Sequence, residues 1–215
     1  MPPRGARARI YQAAVRLFAA NGSDEITVSD LAETAGIARG TIYNNIQSPE
    51  TLFGDVAGWL SHEMILRTEA AMGEITSPVE RLATGTRLFI RRAHEEHDWG
   101  LFLVRFGLNH AALHAMMHEP PARDIRAAID AGAFKTSEDK IPALVSMLTG
   151  ATLAAMGAVI RGDQAWRDAA SAAAEFFLRA GGLAGGQARY LATRELPDLA
   201  APAVPSQSRA KRKKS

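Results

Sequence analysis

Residues 27–45 read Thr27-Val28-Ser29-Asp30-Leu31-Ala32-Glu33-Thr34-Ala35-Gly36-Ile37-Ala38-Arg39-Gly40-Thr41-Ile42-Tyr43-Asn44-Asn45. Thr27 to Asp30 is a capping-box-like start, which predicts a short helix to about Thr34. Gly36 can take the positive φ of a tight turn, and a second short helix follows from about Ala38 to Asn44. Ala32 is small enough for two helices to cross closely, and Ile42, six residues after Gly36, returns to the core. This spacing of small residue, turn glycine and apolar residue is that of a helix-turn-helix. Plain helical hairpins also contain Ala and Gly, so the spacing alone leaves that reading open.

The second helix carries the chemistry. At 100° per residue, Gly40 and Asn44 stand opposite Ile42, with Thr41 and Tyr43 on the flanks. Gly40 offers bare backbone for close approach to a groove wall, and Thr41 and Tyr43 offer hydroxyls to phosphate. Asn44 and Asn45 have the amide geometry to pair with the adenine N6/N7 edge, and Arg39 can reach guanine or phosphate. No acid lies between Thr34 and Ser48. For each residue alone a solvated polar surface explains as much; the clustering favours DNA. With Thr27 at the start of the pair, the DNA-facing set is Thr27, Arg39, Gly40, Thr41, Tyr43, Asn44 and Asn45.

Outward from this pair the chain reads as helices. Alanine fills 41 of 215 positions and no stretch sustains period-2 alternation. Ile10, Ala13, Ala14, Leu17 and Phe18 keep helical spacing up to the stop at Asn21-Gly22. Ser48-Pro49-Glu50 starts a helix to about Met72, and Ser77-Pro78-Val79-Glu80 starts another to about His97. A third, capped by Asp98, is expected to end before Pro120-Pro121, and a short one to reach Ala131. Two long helices, 139–160 and 163–180, follow, closed by Gly181-Gly182. The expectation is all-α with about nine helices: a domain at 1–47, a larger one at 48–182 with 48–72 connecting them, and a flexible tail at 183–215 with a helical turn or two around 187–195.

Net charge is +2, but residues 209–215 hold five cations, which leaves residues 1–208 at −3. Anion-binding surface is therefore expected near the ends, including Arg4, Arg7, Arg9 and Arg16. With no cysteine, a disulfide scaffold, a cysteine nucleophile and thiol redox sensing are excluded, and a reducing cytoplasm is compatible. The uncharged run 141–160 is long enough to span a bilayer, but Pro142, Ser146, Thr149, Gly150, Thr152 and Gly157 favour a buried helix of a soluble core. No Gly-x-Ser-x-Gly, P-loop, dinucleotide fingerprint or metal-protease motif is present, so neither an enzyme nor a cofactor is expected.

The residues Arg9 to Phe18, Asn21-Gly22, Thr27 to Ala32, Ala35 to Tyr43 and Leu52-Phe53 together resemble the N-terminal domain of TetR-family transcriptional regulators, over about residues 7–53. The resemblance implies an all-helical homodimer. Its three N-terminal helices bind an operator; its larger C-terminal domain binds a small effector and supplies the dimer interface. Two positions depart from the family pattern. Ile46 replaces a usual aromatic. Pro49 replaces a usual lysine, so one phosphate contact must come from elsewhere, for which the N-terminal arginines are available.

In this layout the apolar segment from Trp99 to Leu113 lines the effector cavity. The ligand-facing set is then Phe89, Trp99, Phe102, Arg105, Phe106, Asn109 and Met116, with Arg105 and Asn109, four apart, as a polar handle inside an apolar pocket. Arg105 at the surface, and core packing for the rest, are the competing readings. An apolar or aromatic effector is expected. Histidines at 94, 97, 110 and 114, with His118, have the spacing of metal ligands, which gives a metal-responsive regulator as an alternative to a solvated helix face. A regulator with no effector is a further one. Small residues at Ser146, Gly150, Ala154 and Ala158, with Trp166, Ala173 and Phe177, permit close helix packing, either within a subunit or, as the resemblance implies, across a dimer.

Overall fold

A computed structural model describes residues 5–199. Among these are ten α-helices and no strand: α1 Ala6–Asn21, α2 Val28–Ala35, α3 Arg39–Tyr43, α4 Leu52–Ala71, α5 Pro78–Glu95, α6 His97–Phe106, α7 Ala111–Asp130, α8 Ile141–Ile160, α9 Trp166–Ala180 and α10 Gly185–Thr193.

The first three helices close over Ile10, Phe18, Leu31 and Ile42, all essentially inaccessible. Each such side chain contributes roughly 1.5–3 kcal/mol by leaving water. The same apolar cluster continues through Leu52, Val56 and Leu60 of α4 and Phe102 of α6 to Leu113 and Met116 of α7. The N-terminal three helices and the larger unit thus share one core, joined where α1 packs on α6. A second cluster holds α5, α7, α8, α9 and α10 together around Ile125, Phe134, Phe177 and Leu178.

Four local expectations are corrected. First, α4 begins at Leu52, not Ser48; residues 49–51 form a turn in which the Ser48 hydroxyl accepts from the Thr51 amide at 3.3 Å. Second, Asp98 lies inside α6, where it pairs with Arg16. Third, residues 98–119 are not one helix. The chain breaks at 107–110 between α6 and α7; α6 buries Phe102 and Leu103, and α7 buries Leu113, Met116 and Met117.

Fourth, α7 runs straight through Pro120 and Pro121. Neither proline has an amide proton, so the carbonyls of Met116 and Met117 lose their helical donors. The buried Thr149 hydroxyl of α8 donates to the Met117 carbonyl at 3.1 Å, which makes the interruption tolerable.

Beyond residue 182 the chain is not simply a tail. Ala188, Leu191 and Ala192 of α10 are buried against α9 and α5. The segment after α10 is held at both ends by backbone acceptors: Arg87 donates to the Arg194 carbonyl at 2.7 Å and Arg67 to the Leu199 carbonyl at 2.6 Å. The basic run at 209–215 lies outside the described residues. The stretch Glu138–Ile160 is long and apolar enough to cross a membrane by composition; here α8 packs against α5, α6, α7 and α9.

Candidate DNA-binding surface and effector cavity

Thr27 caps α2: its hydroxyl accepts from the Asp30 amide at 3.1 Å and donates to the Asp30 carboxylate at 2.7 Å. That proton is committed to the cap. Gly36 closes α2 at φ 61°, where the Ile37 amide reaches back to the Ala32 carbonyl. This reversal sets α3 across α2 with Ile42 underneath. Arg39, Gly40, Tyr43 and Asn44 are exposed along the outer side, Tyr43 at 60%. A Cβ built on Gly40 would meet nothing within 4 Å, so the backbone there is open to a groove wall. Thr41 and Asn45 are half-buried, and Asn45 donates its amide to the Thr41 carbonyl at 2.8 Å.

The N-terminal arginines are not all free for phosphate. Arg9 donates to the carbonyls of Ala35 and Gly36 at 2.7 and 2.9 Å, so it braces the turn. Arg16 pairs with Asp98 at 3.3 Å. Arg7 donates to the Tyr11 hydroxyl at 2.8 Å. Arg4 lies outside the described residues.

A cavity of about 70 Å³ lies among α4, α5, α7 and α8. Phe89 and Met116 line it, together with Met72, Met117, Pro120, Pro121 and the four threonines Thr68, Thr86, Thr149 and Thr152. At its edge Arg81 donates to Asp124 at 3.2 Å, to Glu69 at 2.9 Å and to the Met72 carbonyl at 3.3 Å. Arg123 also reaches Glu69, at 2.7 Å. Burial pushes the Glu69 carboxyl up, but hydrogen bonds from Arg123 and Arg81 and their charges outweigh it and hold it below the ordinary range. The sequence pointed to none of these threonines or charges. The only signal for them is polar residues on buried helix faces, and the proline pair reads locally as a stop.

The other ligand-facing expectations are corrected. Phe102 and Phe106 do not line the cavity. They pack on Phe53, with ring centroids 5.5 and 4.9 Å away, and Phe53 packs in turn on Phe18 of α1 at 5.0 Å. These rings fill the joint between α1, α4 and α6. Trp99 lies under the Arg92 guanidinium, 4.3 Å from its ring centroid. Arg105 and Asn109 are exposed. Arg105 donates to the Ala20 carbonyl at 3.0 Å, because desolvating an unpaired guanidinium in an apolar wall costs more than leaving it at the surface.

The histidines do not converge. His94 stacks on Trp166, His97 is exposed beside Asp98, and His110 packs on Phe53. His114 and His118 stack on each other 3.6 Å apart. Among the described residues no three His, Asp or Glu side chains form a metal-holding group, so the histidine cluster expected from the spacing does not assemble within them.

On α8, Ser146, Gly150 and Ala154 are exposed along one stripe with Met147, and Ala158 is half-exposed. On α9, Phe177 is corrected: it is buried within its own subunit against Phe134. Its neighbour Phe176, 65% exposed, is the apolar side chain left outward. Trp166 and Ala173 are half-buried.

Residues 10–56 match the family described as bacterial regulatory proteins, tetR family, and residues 77–194 match the tetracyclin repressor-like C-terminal domain. The chain is 31% identical over 80 residues to the HTH-type transcriptional repressor KstR2 of Mycolicibacterium smegmatis, a match that spans 37% of this chain and 39% of that relative. A crystal structure of RolR in complex with resorcinol is similar with TM-score 0.68 and 26% identity, over 91% of this chain and 96% of that one. A tetR family transcription regulator from Shewanella sp. PV-4 shares the fold with TM-score 0.69 and 19% identity, over 82% and 98% of the two chains.

Proposed function

This chain belongs to the TetR family of transcriptional regulators, and on that premise we propose that it is a cytoplasmic homodimeric repressor released from a palindromic operator by a small apolar or aromatic effector. The observation that carries the reading is the open face of α3 in the same molecule as the α4–α5–α7–α8 cavity, with α4 belonging to both. Ile65, Thr68 and Glu69 of α4, with Met72 just after its end, line the cavity, while Leu52 and Phe53, at the other end of α4, pack in the core of the N-terminal unit.

Arg39, Gly40, Tyr43 and Asn44 are the groove-facing residues, with Thr41 and Asn45 behind them. The exposed stripe of α8 and Phe176 of α9 form the subunit contact, which sets two α3 helices about one turn of DNA apart, ~34 Å or slightly more. Release is mechanical. A cavity known to take benzene is about 150 Å³, so this one, at about 70 Å³, must widen around a ring-sized ligand. Met72, Met116 and Met117 are soft enough to yield first, and α4 moves next. Coupling on the order of 1–3 kcal/mol suffices to change operator occupancy. The RolR complex makes resorcinol the first compound to test.

The small cavity also favours a second reading, a regulator with a filled core and no effector. One experiment separates the two: selection from random DNA, then titration of the selected complex with ring compounds. Absence of any palindromic selection would sink the repressor reading. A palindrome that no compound releases would leave the effector-free regulator.

A further inference from the structure

The hydrogen-bonding capacity of the cavity wall restricts what can enter. Each threonine hydroxyl has one proton and two lone pairs. Thr68 donates to the Met64 carbonyl at 2.8 Å, Thr86 to Leu82 at 2.8 Å and Thr152 to Leu148 at 2.7 Å, the back-bonding pattern of helical threonines. Thr149 instead crosses to the Met117 carbonyl, whose helical donor Pro121 cannot supply. Its proton is the most firmly committed, because turning it toward a ligand would strip that buried carbonyl of the donor it has. All four lining threonines therefore have their hydroxyl protons committed to backbone carbonyls and keep only lone pairs for a ligand.

The charged edge points the same way. Arg81 is the one cation among the lining residues, and it is already paired with the carboxylates of Asp124 and Glu69 and bonded to the Met72 carbonyl. Glu69 and Asp124 are also in the lining, so carboxylates outnumber the cation there. An anionic ligand would meet two carboxylates and a cation whose charge they already offset. An ether or ester would bring further lone pairs to a wall of lone pairs.

We infer that the effector is a small uncharged compound that donates hydrogen bonds, an apolar body bearing at least one O–H or N–H group, anchored on Thr149. This rests on the effector-regulated reading and narrows it.

The test uses three rings of similar size on the full chain: phenol, its methyl ether anisole, and benzoate. Binding is measured by calorimetry and thermal shift, alongside a separate assay of binding to the selected operator. Phenol is expected to bind about tenfold or more tightly than either of the others, the loss typical of one well-made hydrogen bond. Thr149→Val should remove most of that preference, and Thr149→Ser, which keeps the hydroxyl, should restore it. Should Thr149→Val prove unstable, Thr86→Val and Thr152→Val test the same wall away from the proline interruption. Anisole or benzoate binding as well as phenol overturns the inference. So does the failure of all three to bind a chain that still holds its operator, an outcome that leaves the DNA-binding reading standing.

Discussion

Arg105 on α6 donates through Nη1 to the Ala20 carbonyl at 3.0 Å, in the last turn of α1. A cation from the larger unit thus sits where the dipole of a DNA-binding-unit helix favours positive charge. The fit is close: a Cβ on Gly22 would lie 2.8 Å from the same nitrogen. Arg105→Ala is expected to lower stability by about 0.5–1.5 kcal/mol. It should also shrink the effector's influence on operator affinity while leaving effector binding unchanged. Calorimetry for the ligand and gel shift for the operator, each with and without the other component, check this; unchanged coupling would show that Arg105 is not part of the joint.

Tyr43→Ala and Arg39→Ala remove exposed side chains, so each should leave stability within about 0.5 kcal/mol. Each should weaken operator binding severalfold to a hundredfold, as loss of a phosphate or base contact does. Denaturant melts and fluorescence anisotropy on the selected operator measure both. A variant that binds as tightly as the parent removes that residue from the interface.

Gly150 offers a clean probe of assembly. A Cβ there meets nothing within 4 Å in its own chain, so Gly150→Leu should fold normally as a protomer. Across a close two-fold contact the added bulk costs ~1–3 kcal/mol. Phe176→Glu should act similarly by placing a charge at an apolar contact. Light scattering at micromolar concentration is expected to show a dimer for the parent and dissociation for both variants. If both remain dimeric, another face makes the contact.

Glu69 links three helices through Arg81 and Arg123, and its carboxyl is held below the ordinary value. A depressed carboxyl contributes stability that is present above its unfolded value of 4.5 and is lost as pH falls through the folded value. Urea midpoints between pH 6 and pH 3 should therefore drop more steeply below about 4.5 in the parent than in Glu69→Gln. Parallel curves would mean that the ion cluster adds nothing measurable.

Local signals carried far in this sequence where they also agreed with packing. Gly36, Ile42 and the Thr27 cap announced the helix-turn-helix because the turn geometry and the buried residue lie within sixteen positions of one another. The cavity was harder to read. Phe102 and Phe106 have the composition of a pocket wall, yet they face Phe18 and Phe53, and nothing local distinguishes a ring that meets a ligand from one that meets another helix. Pro120-Pro121 reads as a stop because local rules hold the missing amide donors against a helix. What lets the helix continue is Thr149, twenty-eight residues later, and only the tertiary fold brings them together. The place of Arg105 is hidden for the same reason: its partner is a backbone carbonyl, which leaves no trace in residue type.

The segment from Arg194 to Leu199 has a practical consequence. Its end carbonyls accept from Arg87 and Arg67. Burial alone pushes the Arg87 guanidinium down, and among the described residues it has no carboxylate partner. Trimming the protein at the Gly181-Gly182 turn, a natural-looking place to cut, would remove α10 and both acceptors together, leaving a desolvated cation and an uncovered α5–α9 groove. The shortest version expected to keep its fold therefore runs to Leu199, and an affinity label or fluorescent reporter belongs beyond that residue.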